Sequence, residues 1–220
     1  VFRRRKSAES ASTVGEELTT LPTAPAAPTG PVDSSVHVED GVTRLDLGSL
    51  RVPGAEGMEI RLEVDQTSET VVAVTVIDAG SAMQLMPFAA PRQEGIWDEV
   101  RAEMHEGLAA AGEVHEVQGP FGTELRSTVS VQAPDGSIVQ QPVRFLGIDG
   151  PRWFVRAVIS GEAGGAESAP GLEAVLRSTV VVRGSEPMAP GDPLALRFPE
   201  DVPDGIVQGQ APEAPPSRTT

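Results

Sequence analysis

Phe121 to Ser160, FGTELRSTVSVQAPDGSIVQQPVRFLGIDGPRWFVRAVIS, is an apolar stretch broken twice by Asp-Gly, at Asp135-Gly136 and Asp149-Gly150. Asp-Gly between alternating apolar residues signals a hairpin, so the stretch reads as a three-stranded antiparallel meander. Keeping Leu125, Val131, Val139, Phe145, Trp153 and Val155 on one face requires three-residue connections, Pro134 to Gly136 and Asp149 to Pro151, because two-residue turns would reverse the faces. In that register Arg126 falls opposite Arg144, and Arg144 opposite Arg156, setting three guanidinium groups in a row. Such a row needs an acidic partner, an anion or open water; Glu124 is the nearest internal candidate. Leu146, Ile148, Phe154 and Val158 share that face, so another element must cover part of it.

Upstream of the meander, Leu45 to Val52 reads as a first strand, and Met58, Ile60, Leu62 and Val64 alternate with charged residues as a second. After a polar turn from Asp65 to Thr70, the near-continuous β-branched run Val71 to Ile77 reads as a strand covered on both faces, and Ala82 to Phe88 as a fourth. Ile96, Trp97, Val100, Met104, Leu108 and Ala111 recur at helical spacing, with Gly112 placed to end that helix. A shorter helix is entered at Pro170 and carries Leu172, Val175 and Leu176, after which Thr179 to Arg183 is expected to return to the sheet. The fold class is therefore α+β, mainly antiparallel sheet with two flanking helices. Residues 43–184 form the single domain. Residues 1–42 are an acidic, Pro-rich arm with a basic start at Phe2 to Lys6, expected to be disordered, and residues 185–220 a Pro-rich extension followed by a disordered tail. Leu194, Leu196 and Phe198 alternate between prolines and are expected to lie along the domain edge.

Net charge is −15, and an acidic chain repels a phosphate backbone, which disfavours nucleic acid apart from local patches such as Phe2 to Lys6 or the arginine row. The chain has no cysteine, which removes disulfides, thiolate metal sites and cysteine nucleophiles. No apolar run approaches the roughly 18 residues of a membrane span, so a cytoplasmic protein is expected. His105-Glu106 begins like a helical zinc motif, but Ala109 stands where the second histidine belongs. No Gly-x-Ser-x-Gly elbow and no phosphate-binding Gly-Lys-Ser/Thr pattern occurs. Asp135 and Asp149 are accounted for by bonds to their own turns, and Trp97, Trp153, Met83, Leu85 and Met86 as core. No cofactor is called for.

Four segments, Gly95 to Arg101 (GIWDEVR), Gly119 to Arg126 (GPFGTELR), Asp149 to Arg156 (DGPRWFVR) and Val180 to Met188 (VVVRGSEPM), together resemble an actinobacterial family known as domain of unknown function 3710. The resemblance runs from about Leu45 to Pro199. It implies a cytoplasmic bacterial protein with a variable acidic arm, and it carries no established activity with it. The order of strands and helices also looks like the PsbP-type α/β/α sandwich, whose members often serve as binding or assembly factors. The function expected is a non-enzymatic protein-interaction or assembly domain, with Arg126, Arg144, Arg156 and Arg152 as candidate binding residues. A small-ligand or hydrolytic enzyme using His105 and Glu106 is the alternative, and nucleic-acid association the second. Oligomeric state stays open.

Overall fold

The computed structural model describes residues 30–65, 67–92, 95–133 and 135–199, and the backbone of 206–210. The basic start at Phe2 to Lys6, most of the arm and the end of the tail lie outside the described residues. In chain order the elements are β1 (Val32–Asp33), β2 (Arg44–Asp46), β3 (Leu50–Pro53), β4 (Glu59–Asp65), β5 (Thr70–Asp78), β6 (Ser81–Ala89) and α1 (Trp97–Ala109). There follow β7 (Val114–Gly119), β8 (Gly122–Gln132), β9 (Ile138–Gly150), β10 (Trp153–Gly161), α2 (Glu162–Gly165), α3 (Pro170–Ser178), β11 (Val180–Val181) and β12 (Ile206–Gln210). Eight strands form one sheet in the order β12-β4-β5-β6-β10-β9-β8-β7, and β1-β11-β3-β2 form a small second sheet. The α+β class and the dominance of antiparallel pairing follow the sequence. β12 on β4 and β1 on β11 are the parallel pairs.

One face of the large sheet is its inner face. Leu62, Val74, Val76, Met83, Leu85, Val155, Ala157 and Ile159 pack there against Leu50, Val52 and Val181 of the small sheet and Leu172, Val175 and Leu176 of α3. The outer face carries α1, which packs on β7, β8 and β9. A second cluster of Ile96, Trp97, Ala90 and Phe154, flanked by Phe88, Phe145, Val100 and Met104, fills that contact.

Several expectations change in detail. Leu45 to Val52 is not one strand: Gly48 takes a left-handed φ of +84°, its amide donates to Asp46 Oδ1 (2.8 Å), and the chain reverses into the β2–β3 hairpin. β5 is covered fully on its inner face and only in part on the other, where Ala73 is buried opposite Glu63 but Thr75 and Ile77 stay half-exposed. The segment after α3 joins the small sheet between β1 and β3, not the large one. Packed chain also extends past 43–184: Val32 and Asp33 pair with β11, and Leu194 and Leu196 are buried, while Phe198 is exposed.

The first Asp-Gly connection holds its expected register, with Arg126 opposite Arg144. The second does not. β9 runs on through Gly150, which pairs with Trp153, so Pro151 and Arg152 alone make the corner. The proline ring fixes φ at the first corner position and Arg152 supplies the second with φ of +68°. The Arg152 carbonyl holds the turn by accepting from the Ala90 amide and Arg183 Nε, both at 2.9 Å. A two-residue corner reverses β10. Trp153 and Val155 therefore lie on the inner face with Arg144, and Phe154, Arg156 and Val158 lie outside.

Candidate functional site

The reversal of β10 separates the four candidate arginines. Arg144 faces Ile159, not Arg156, so the expected row of three is reduced to the pair Arg126 and Arg144. Arg144 is fully buried and Arg126 half-buried beneath α2 and α3, and both are met by acids. Glu124, 1% exposed, accepts from Arg126 Nε (2.8 Å) and from Arg144 Nε and Nη2 (2.9 Å each). Glu173 of α3 accepts a further bond from Arg144 Nη2 (3.2 Å) and one from the Ala169 amide (3.0 Å), which places its carboxylate at the start of that helix. Arg126 also donates to the carbonyls of Ala166 and Glu167, tying the α2–α3 link to β8. Sequence reasoning found Glu124 and missed Glu173; the signal was an acid beside the apolar stripe of a helix that must cover an arginine-bearing sheet.

Arg144 and Arg156 respond to burial in opposite ways. Burial by itself would lower the Arg144 guanidinium, but the hydrogen bonds and charge of Glu124, with those of Glu173, outweigh it and the group is raised above its usual value. Arg156 has no such compensation, and burial pulls it below the usual value. Its Nη2 donates to the Met86 thioether (2.8 Å), its guanidinium carbon lies 5.6 Å from the centre of the Phe88 ring, and its buried Nε has no hydrogen-bond partner among the described residues. A thioether is a weak acceptor and an aromatic face an incomplete counter-charge. Met86, expected in the core, is half-exposed at this position directly opposite Arg156. Arg152 stands apart at the β9–β10 corner, where its charge falls on Asp33. Burial would raise that carboxyl, and bonds from Ser35 and from Trp153 Nε1 (2.6 Å), together with Arg152, hold it below the ordinary value instead.

A groove of about 470 Å³ opens between the start of α1 and the β7–β8 turn, lined by Trp97, Asp98, Arg101, Phe121, Thr123 and Asp149 among others. Its polar groups are already engaged. Asp149 does not bond its own turn: Oδ1 accepts the Ile96 amide (2.9 Å) and Oδ2 the Trp97 amide (3.3 Å), so a strand residue caps a helix that has no cap of its own. Asp98 pairs with Arg101 (2.6 Å), and Trp97 Nε1 donates to the Thr123 carbonyl (2.7 Å). Asp149→Ala is expected to lower stability by about 1 kcal/mol, the usual cost of a lost cap, measured by urea unfolding. His105 and Glu106 do not line this groove. Among the described residues no three His, Asp or Glu side chains come together as a metal site, and no helix is long and apolar enough to cross a membrane.

The fold and its arginine cluster define a class: an antiparallel α+β domain whose helical cover is locked to the sheet by buried ion pairs. The chain belongs to the family described as protein of unknown function DUF3710, whose model matches residues 30–204. No curated protein matches the chain.

Proposed function

We propose that this chain is a non-enzymatic protein-interaction or assembly domain of the cytoplasm, and that it docks its partner on the outer face of β4, β5, β6 and β10. One observation carries this reading. α1 covers the outer face at β7, β8 and β9, whereas β6 alternates strictly between buried inner residues and half-exposed Ala82, Gln84, Met86 and Phe88. Ile77 and Val158 flank that row and are also half-exposed, so apolar side chains and Arg156, which has no ion-pair partner among the described residues, share a surface that α1 reaches only at its Phe88–Phe154 end. Of the four arginines, Arg156 belongs to this surface. Arg126 and Arg144 serve the interior, and Arg152 serves the β9–β10 corner.

The test introduces negative charge at two half-exposed positions, Ile77→Glu with Val158→Glu, after circular dichroism and thermal melting show the variant folded. Capture from an extract of the native host with quantitative mass spectrometry is expected to recover a partner with the wild type and to lose it at least about tenfold with the variant, since a buried like-charge or unpaired-charge contact costs more than 1.4 kcal/mol. Equal recovery by both proteins would remove the outer face from consideration.

A further inference from the structure

Three features carry charge or space that the fold does not explain at once: the groove beside α1, the Arg126–Glu124–Arg144–Glu173 cluster, and Arg156. The groove has its acids and its indole committed to neighbours. The cluster supplies its own counter-ions. Arg156 has none: no carboxylate of the described residues lies within 4.0 Å of it in an ion pair, although Glu63 shares its face. Glu63 spends its oxygens on the Thr75 hydroxyl and on Gln84 Nε2 (2.7 Å), one rung away.

We propose that Arg156 is the carboxylate receptor of the outer face, taking an Asp or Glu side chain from an extended, otherwise aliphatic segment of a protein partner laid along β6 and β10. The inference rests on the interaction reading above and names the chemistry of the partner. Arg156 is bordered by Met86 and Gly147 across the strands and by Phe154 and Val158 along its own. A guanidinium in such surroundings is poorly hydrated, holds its donors in a planar fork that matches a carboxylate once Nη2 exchanges the Met86 thioether for it, and gains more from an opposite charge than it would in open water. Its aliphatic and aromatic border favours a carboxylate that arrives with apolar neighbours, which bury those carbon surfaces together with the ion pair. Half-exposed side chains recur every second residue along β6, the spacing at which an extended segment presents its own alternate side chains. Glu63 on β4 shares this face, Glu59 beside it is neutralised by Arg61 (2.8 Å), and the net charge of −15 for the whole chain opposes a phosphate backbone as the ligand. The free protein bears the cost of an uncompensated half-buried cation, which is characteristic of a group kept ready for a ligand.

The experiment selects 12-residue peptides from a random phage-displayed library on the immobilised full chain, then measures the synthetic peptides by calorimetry and by amide chemical-shift mapping. Enriched peptides are expected to share one Asp or Glu flanked by aliphatic residues, to perturb amides of β6 and β10, and to bind Arg156→Met at least tenfold more weakly, with Arg156→Lys intermediate. Arg156→Met is also expected to melt about 2–4 °C higher than the wild type, because it removes a charge without a partner and keeps the apolar stem. That rise separates a binding role from a structural one. A lower melting temperature would make Arg156 a packing residue and overturn the proposal. Peptides without an acid, or acidic peptides that bind Arg156→Met equally, would overturn the carboxylate assignment and leave the docking face standing. Shifts confined to other strands, or no enriched peptide, would overturn both readings. Equal shifts from millimolar acetate alone would show a small-anion site and overturn the claim of a protein segment.

Discussion

Glu124→Ala is expected to lower stability by about 3–5 kcal/mol, because it leaves Arg144 buried and stripped of its two best bonds while Glu173 offers one longer contact. Arg144 is fully buried and its Nη1 already lacks a partner among the described residues, so no water shell is at hand to absorb the change. Arg126, more open, loses its Nε partner too but keeps its bonds to the Ala166 and Glu167 carbonyls. Removing both charges of the central pair, Arg144→Met with Glu124→Gln, is expected to return a substantial part of the loss, since a neutral amide beside an apolar chain carries no unpaired charge. Urea unfolding of the single and double variants measures the coupling. A loss under about 1 kcal/mol for Glu124→Ala would place the cluster among solvated ion pairs, whose worth is of that order. The cluster's effect is positional. It joins β8 and β9 to α3 and to the α2–α3 link, so its loss loosens the cover of the inner face rather than one strand.

How much of this was legible depends on the range over which each interaction acts. The first Asp-Gly hairpin, the Arg126–Arg144 pairing and the choice of Glu124 came from two-residue periodicity and one local turn, and these are properties of adjacent chain. The reversal of β10 hinged on one corner. Asp-Gly and Gly-Pro overlap at positions 149–151, and the proline at the first corner position prevailed over the aspartate, which left Asp149 free to cap a helix more than fifty residues away. That cap has no local sequence signal. Pro151 does: a proline followed by a residue able to take positive φ favours a two-residue corner. The small sheet was invisible for another reason. Its strands are two to four residues long, too short to show a period, and they are set by the Gly48 reversal and by pairing across the whole chain. The open outer face was obscured by composition. Val71 to Ile77 is β-branched at every position but Ala73, which fits a strand covered on both sides as well as one covered on one side.

Trp97→Ala is expected to cost about 3–5 kcal/mol, and Gly147→Ala about 1–3 kcal/mol, with the double variant at least 1 kcal/mol less destabilised than their sum. The Trp97 ring lies flat over the β9 backbone at Gly147, where an added Cβ would overlap it. The same ring stacks on Phe154 at 5.8 Å and anchors its Nε1 on the Thr123 carbonyl, so it has no free direction in which to yield. α1 buries little besides Trp97, with Ile96 just ahead of it, and its remaining apolar residues stay half-exposed or exposed. Its seat on the outer face therefore depends on this one indole together with the Asp149 cap. Once the indole is gone, a methyl group at position 147 meets open space and costs little. Denaturant midpoints for the four proteins of the cycle test this directly, and additive losses would show that Trp97 and Gly147 act through separate contacts. The cycle also bears on the docking face. Trp97 stacks on Phe154, and Phe154 on Phe88 at the edge of that surface, so a loosened helix would alter its border, and a peptide that docks on β6 and β10 should bind the Trp97→Ala protein more weakly even though it never touches the indole.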